Sequence, residues 1–171
     1  MERLHLIKCG VIMFECFKNK IDHIELVGDP HIQTNSVLPY DDKETVEHKR
    51  KNPFKTTRPS ILKIYLVNKE LKKIIAPSNL DYDGATIPLN IGKGDMRLLI
   101  GSLFHDIVCK HKSILDYDRE LASQAFRETI IACSMPKLQA YIMYWLMNIY
   151  QMIFRDWRKP KNYDNKQCRR K

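Results

Sequence analysis

The residue types best suited to chemistry in this chain lie between Asp83 and Asp106. Residues 80–94 read LDYDGATIPLNIGKG, and His105-Asp106 follows inside the apolar run LLIGSLFHDIV. Asp83-Gly84 is a turn signal, Ile87-Pro88 forces an extended exit, and Gly92 with Gly94 frees the backbone just before a helix. Such a loop can aim carbonyls or amides at a ligand, although turn-making alone also accounts for its glycines. Neighbouring helical side chains point about 100° apart, so His105 and Asp106 cannot both face the core squarely. A buried ionisable group needs a partner, because isolation costs several kcal/mol. Asp83 is the partner the loop offers. A His held by a carboxylate can act as general base. Asp83 and Asp106, with loop carbonyls, can instead hold a hard cation such as calcium or another divalent ion. The competing structural reading has His105 bonded to the loop backbone and Asp106 paired with Arg97 or Lys110.

Other constellations carry less. His105 and Cys109 stand at i,i+4, a zinc-compatible spacing with His111 nearby, but no fourth ligand has recognisable spacing, so a buried Cys109 is expected. A His-Asp phosphohydrolase needs a further metal-binding His upstream and an Asp downstream. Asp118 fits the second role, but the upstream His residues sit outside helical patterns, which excludes that class. Tyr117-Asp118-Arg119-Glu120 opens a helix, where acidic residues cap free amides.

The elements that must position these residues follow from patterning. Strands are expected at Leu4–Lys8, Val11–Phe17, His23–Val27 and Ile61–Val67. Gly28 to Pro59, with Pro30, Pro39, Pro53 and dense charge, reads as a long loop. Helical spacing of Leu99, Leu103 and Ile107, beside Met96, Ile100 and Phe104, predicts a helix from Met96 to about Lys110 with Asp95 as N-cap. A second helix fits Tyr117 to Cys133, with Leu121, Ala122, Ala125, Phe126, Thr129 and Ile130 on one face. A third runs from about Lys137 to Trp157, with Leu138, Tyr141, Ile142, Trp145, Ile149, Met152 and Ile153 as its stripe. Its Met and aromatic content, Met143 and Tyr144 to Tyr150 and Met152, reads as core. The whole is an α+β single domain over 1–171. A strand-rich segment spans 1–80, with a basic loop over 28–59. The DGATIP loop and three C-terminal helices follow over 81–157, and a basic tail over 158–171.

Composition narrows the classes. The net charge is +9, with ten Lys/Arg between Lys43 and Lys73 and eight between Arg155 and Lys171 against Asp156 and Asp164. Clusters 43–73 and 155–171 could meet nucleic-acid phosphates or an acidic partner, yet no aromatic interleaving or RNA-binding signature accompanies them. Five cysteines (Cys9, Cys16, Cys109, Cys133, Cys168) without a CxxC pair suit a reducing compartment. The N-terminal apolar run is broken by Lys8, Glu15 and Lys18 and lacks a cleavage site, so no signal peptide is read. Ala140 to Phe154 is shorter than the ~20 residues of a spanning helix.

The order YDGATIP, FHDIVC, RELASQAF and then a helix like YIMYWLMNIYQ resembles the phage and prophage family called domain of unknown function 1353. The resemblance covers about Ile61 to Trp157, and Asp83, Gly84, Pro88, His105 and Asp106 match its motif positions. It implies a phage-encoded accessory protein, associated with the virion or with lysis, in host cytoplasm or virion, with other phage or virion proteins as partners. It implies no settled activity. Where the family often carries an Asp, three residues before a Phe, this chain has Ser123. The layout also resembles phospholipase A2-like sites, where the His activates water, the adjacent Asp helps hold calcium and a second Asp orients the His. Loss of that carboxylate weighs against catalysis unless Asp116, Asp118 or Glu120 replaces it. Three functions are therefore expected in order: the accessory protein, a calcium-type hydrolase of a lipid or other ester, and a basic binding protein.

Overall fold

The computed structural model describes residues 20–84, 94–154 and 157. The expected strands Leu4–Lys8 and Val11–Phe17, the loop residues Pro88 and Gly92, and the tail 158–171 lie outside the described residues. The architecture is α+β, with two small antiparallel sheets in the N-terminal half and, among the described residues, three of four α-helices in the C-terminal half.

The first sheet joins β1 (Ile21–Val27), β4 (Ser60–Leu66) and β5 (Leu71–Ala76) in the order β1-β4-β5. Its register pairs Ile24 with Ile64 and Leu62 with Ile74. Alternation sends Leu62, Ile64, Ile74 and Ala76 into the core and leaves the intervening positions toward solvent. The second sheet joins β2 (Ile32–Thr34), β3 (Phe54–Thr56) and β6 (Asp81–Tyr82) in the order β2-β3-β6.

The stretch 28–59 is not a loop. It holds β2, α1 (Lys43–Lys51) and β3. α1 buries none of its residues, so it has no apolar stripe to betray it. Local chemistry holds it instead. Asp42 accepts from the Thr45 amide at 2.7 Å, and Lys51 pairs with Glu47 one turn away at 2.7 Å.

α2 (Met96–Lys110) starts on the Asp95 N-cap, whose carboxylate accepts from the Arg97 amide at 2.9 Å. It is buried on most sides, between β5 and α3 (Arg119–Ala132). Gly101 permits a close helix crossing: a Cβ there would stand 2.5 Å from Ile130 Cγ2. Asp118 caps α3 by accepting from the Leu121 amide at 3.0 Å, as expected.

α4 (Lys137–Phe154) packs on α3, but on a different face from the one its sequence suggested. Ala140, Met143, Tyr144, Met147 and Gln151 are the buried set, while Leu138, Tyr141, Ile142, Trp145, Ile149, Met152 and Ile153 are exposed. Among the described residues no helix is long and apolar enough to cross a membrane.

Candidate functional site

The centre of α2 carries His105 into the helical interior, where it is 6 % exposed. Cys109, one turn on, brings its Sγ to 3.7 Å from His105 Nδ1, and the edge of the ring meets Phe126. From α4, the Gln151 amide donates to His105 Nε2. The same amide donates to Ser123 Oγ at 3.2 Å, and the Ser123 hydroxyl in turn donates to the Arg119 carbonyl at 3.1 Å. With the Gln151 amide in this orientation, Nε2 is the accepting ring nitrogen. A polar node thus ties α2, α3 and α4 together through His105, Ser123 and Gln151. Gln151 Oε1 is buried with no hydrogen-bond partner among the described residues.

Sequence reasoning did not find Gln151. It is a polar residue in an apolar helix, and only the fold turns it toward His105. Ser123, by contrast, stands where the family resemblance implied a carboxylate, and it does lie beside His105 through Gln151. The carboxylates offered as replacements are engaged elsewhere. Asp116 pairs with Lys72 at 2.7 Å, Asp118 with Lys20 at 2.7 Å, and Glu120 with Gln124 and Lys20.

Asp106 is half-buried on α2. Arg97, one of the two partners expected for it beside Lys110, forks onto Asp95 instead, with contacts of 3.0 and 2.6 Å. Asp83 is exposed just beyond β6, whereas Tyr82 beside it is buried, as strand alternation requires. Gly84 follows at φ +80° and Gly94 at φ +97°, both in the region that favours glycine. Among the described residues no three His, Cys, Asp or Glu side chains gather to hold a metal ion.

Burial, helped by the charge of Asp106, pushes the Tyr82 phenol well above its ordinary value. Its hydroxyl donates to the Leu99 carbonyl at 3.4 Å. The folded chain therefore keeps a proton that the unfolded chain releases above pH ~10, and stability falls as pH rises there. Against Tyr82→Phe, the wild type should lose up to about 1.4 kcal/mol more per pH unit above that point. Urea unfolding at a series of alkaline pH values checks this; equal slopes would show that Tyr82 ionises freely.

A second His-carboxylate pair has the openness that His105 lacks. His48 of α1 meets Asp81 of β6 at 3.0 Å, and Asn35 steadies that carboxylate at 3.0 Å. Burial alone would raise Asp81, but the bonds from Asn35 and His48 hold it below its ordinary value. The pair borders a hollow of about 330 Å³ beside Thr45, Lys49 and Lys55. No spacing signal joins residues so far apart, and His48 sits in a charged stretch.

The basic stretch 43–73 is distributed over α1 and both sheets, and much of its charge is compensated. Lys49 pairs with Asp41, Lys51 with Glu47, Lys63 with Glu25, and Lys72 with Glu70 and Asp116. No family model, curated protein or solved structure matches this chain.

Proposed function

We propose that this chain is a phage-type accessory protein that works by binding, and that it retains His105-Asp106 as a structural node rather than a hydrolytic site. The observation that carries this reading is the Gln151 amide seated on His105 Nε2 inside the three-helix interior. A general base needs its lone pair within reach of a substrate proton, directly or through one water. Here an amide occupies that lone pair, and Ser123 supplies a hydroxyl where an orienting carboxylate would stand. The order of YDGATIP, FHDIVC and RELASQAF supports the phage context, with host cytoplasm or virion as location and virion proteins as partners.

The test is a panel of ester and lipid substrates, with and without calcium or zinc, on the full chain beside Asp106→Asn, His105→Gln and His48→Ala. No turnover above blank is expected, and millimolar calcium should leave the melting temperature unchanged. Calcium-dependent turnover lost in Asp106→Asn would replace this reading with the hydrolase. Turnover lost in His48→Ala alone would also overturn it, moving the chemistry to the open pair. Salt-sensitive DNA binding that vanishes on deleting residues 163–171 would favour the basic binding protein instead.

A further inference from the structure

The outward face of the first sheet is ordered in rows. Across β1, β4 and β5 the register sets His23 beside Tyr65 and Leu71, Glu25 beside Lys63 and Lys73, and Val27 beside Ile61 and Ile75. The first row is aromatic, the second charged and the third apolar, with about 6.8 Å from one to the next. Leu62, Ile64, Ile74 and Ala76 take the other face, where the helices pack. The His23 and Tyr65 rings lie within 9° of parallel, with centroids 4.2 Å apart. The His23 side chain is 59 % exposed, which leaves its side of the stack open to solvent. In the middle row Glu25 accepts from Lys63 at 2.9 Å and from the Tyr65 hydroxyl at 3.3 Å. Two lysines thus stand against one carboxylate, and Lys73 carries the surplus charge.

We infer that this face binds single-stranded nucleic acid, with a base continuing the His23–Tyr65 stack and its phosphate on Lys73 and Lys63. Every base has a π-face, so an aromatic stack beside lysines takes a single strand without regard to sequence. The bases of a duplex are already stacked on one another and cannot add to the ring pair. The apolar row, with Ile75 60 % exposed, gives the neighbouring sugar or base a dry contact. Charge decides against a second copy of the chain as the occupant. Facing sheets would bury the central row, and with it a lysine that its own row does not neutralise. A phosphate meets that charge, and the net charge of +9 adds attraction at longer range. Lysine and aromatic residues do not alternate along the basic stretch, but the fold interleaves them across strands, the His from β1 and the lysines from β4 and β5. The His105 node lies on the helical side of the sheet, so this face keeps its role whether or not that node is structural.

Fluorescence anisotropy of labelled oligo-U and oligo-dT of about 12 nucleotides, beside a duplex of equal length, tests this on the full chain. Either single strand should bind about tenfold more tightly than the duplex, or better. His23→Ala should weaken that binding about tenfold, and His23→Phe should restore it, because stacking needs a ring rather than a charge. Lys73→Gln should flatten the slope of log affinity against log salt by about 0.7, one phosphate's share on a single strand. All three changes are at exposed positions, so circular dichroism should not move. The absence of single-strand binding at low salt overturns the inference. So does a duplex bound as tightly, or a His23→Ala chain that binds like the wild type. Binding that is lost on deleting residues 163–171 yet indifferent to His23→Ala overturns it in favour of the basic tail. A dimer in sedimentation, broken by Ile75→Glu and binding no oligonucleotide, overturns it in favour of a second copy.

Discussion

Gln151→Ala is expected to lower the free energy of unfolding by about 3 kcal/mol, an effect set by what it strands rather than by its own size. The side chain is fully buried and serves two acceptors, His105 Nε2 and Ser123 Oγ. Removing it leaves both in a dry interior and opens a cavity besides. Each stranded polar atom costs about 1–3 kcal/mol, and the lost packing adds to it. Ser123→Ala should cost only about 1 kcal/mol, because it deletes one acceptor and leaves the His105 bond intact. The sharper measurement is the coupling between Gln151→Ala and His105→Ala in a double-mutant cycle. Residues in one hydrogen-bonded node should fall short of additivity by about 1–2 kcal/mol. Additive effects would dissolve the node, and with it the structural role assigned to His105. A fold that needs His105 this much should lose stability on its removal whether or not any substrate is present.

The same residue marks the boundary of what is legible in the sequence. α2 and α3 are readable to within a residue or two because each keeps helical spacing of its apolar residues and starts on a recognisable cap, Asp95 and Asp118. α4 is readable as a helix but not in its orientation. It carries two apolar faces, and periodicity locates both without choosing between them. The stripe centred on Trp145 is the larger and more aliphatic, whereas the buried one runs through Ala140, Met143 and Met147 to a glutamine. Only the polar demand of His105, met by Gln151 and Ser123, explains why the face with an amide goes inward. β2, β3 and β6 are two or three residues long, too short for alternation to register. β5 is hidden by Lys72 and Lys73, whose charge reads as surface although Ile74 and Ala76 are core. The place of the site is legible from the residue types of 83–106. Its partners are not, since hydrogen bonds across 28 and 46 residues leave no local spacing to read.

Gly84→Ala should cost about 2–4 kcal/mol, from two separable sources. The backbone at Gly84 has φ +80°, which a side chain resists by about 1–2 kcal/mol. An added Cβ would also stand 2.5 Å from Phe54 Cε2 and 2.7 Å from its Cδ2, so the ring must move. That ring is committed: Phe54 pairs with Tyr82 across β3 and β6, and their centroids are 5.8 Å apart. Gly94→Ala isolates the backbone share, because at φ +97° its Cβ would meet nothing within 4 Å. Its cost should therefore be about 1–2 kcal/mol. Shortening the neighbour separates the steric share, and Gly84→Ala should be tolerated better in a Phe54→Leu background than in the wild type. Equal costs at Gly84 and Gly94 in urea unfolding would show that Phe54 yields freely. That result would leave the glycine of the DGATIP loop to be explained by a ligand's approach, whereas unequal costs make it a packing requirement of β3 and β6, in keeping with a site held together for structure.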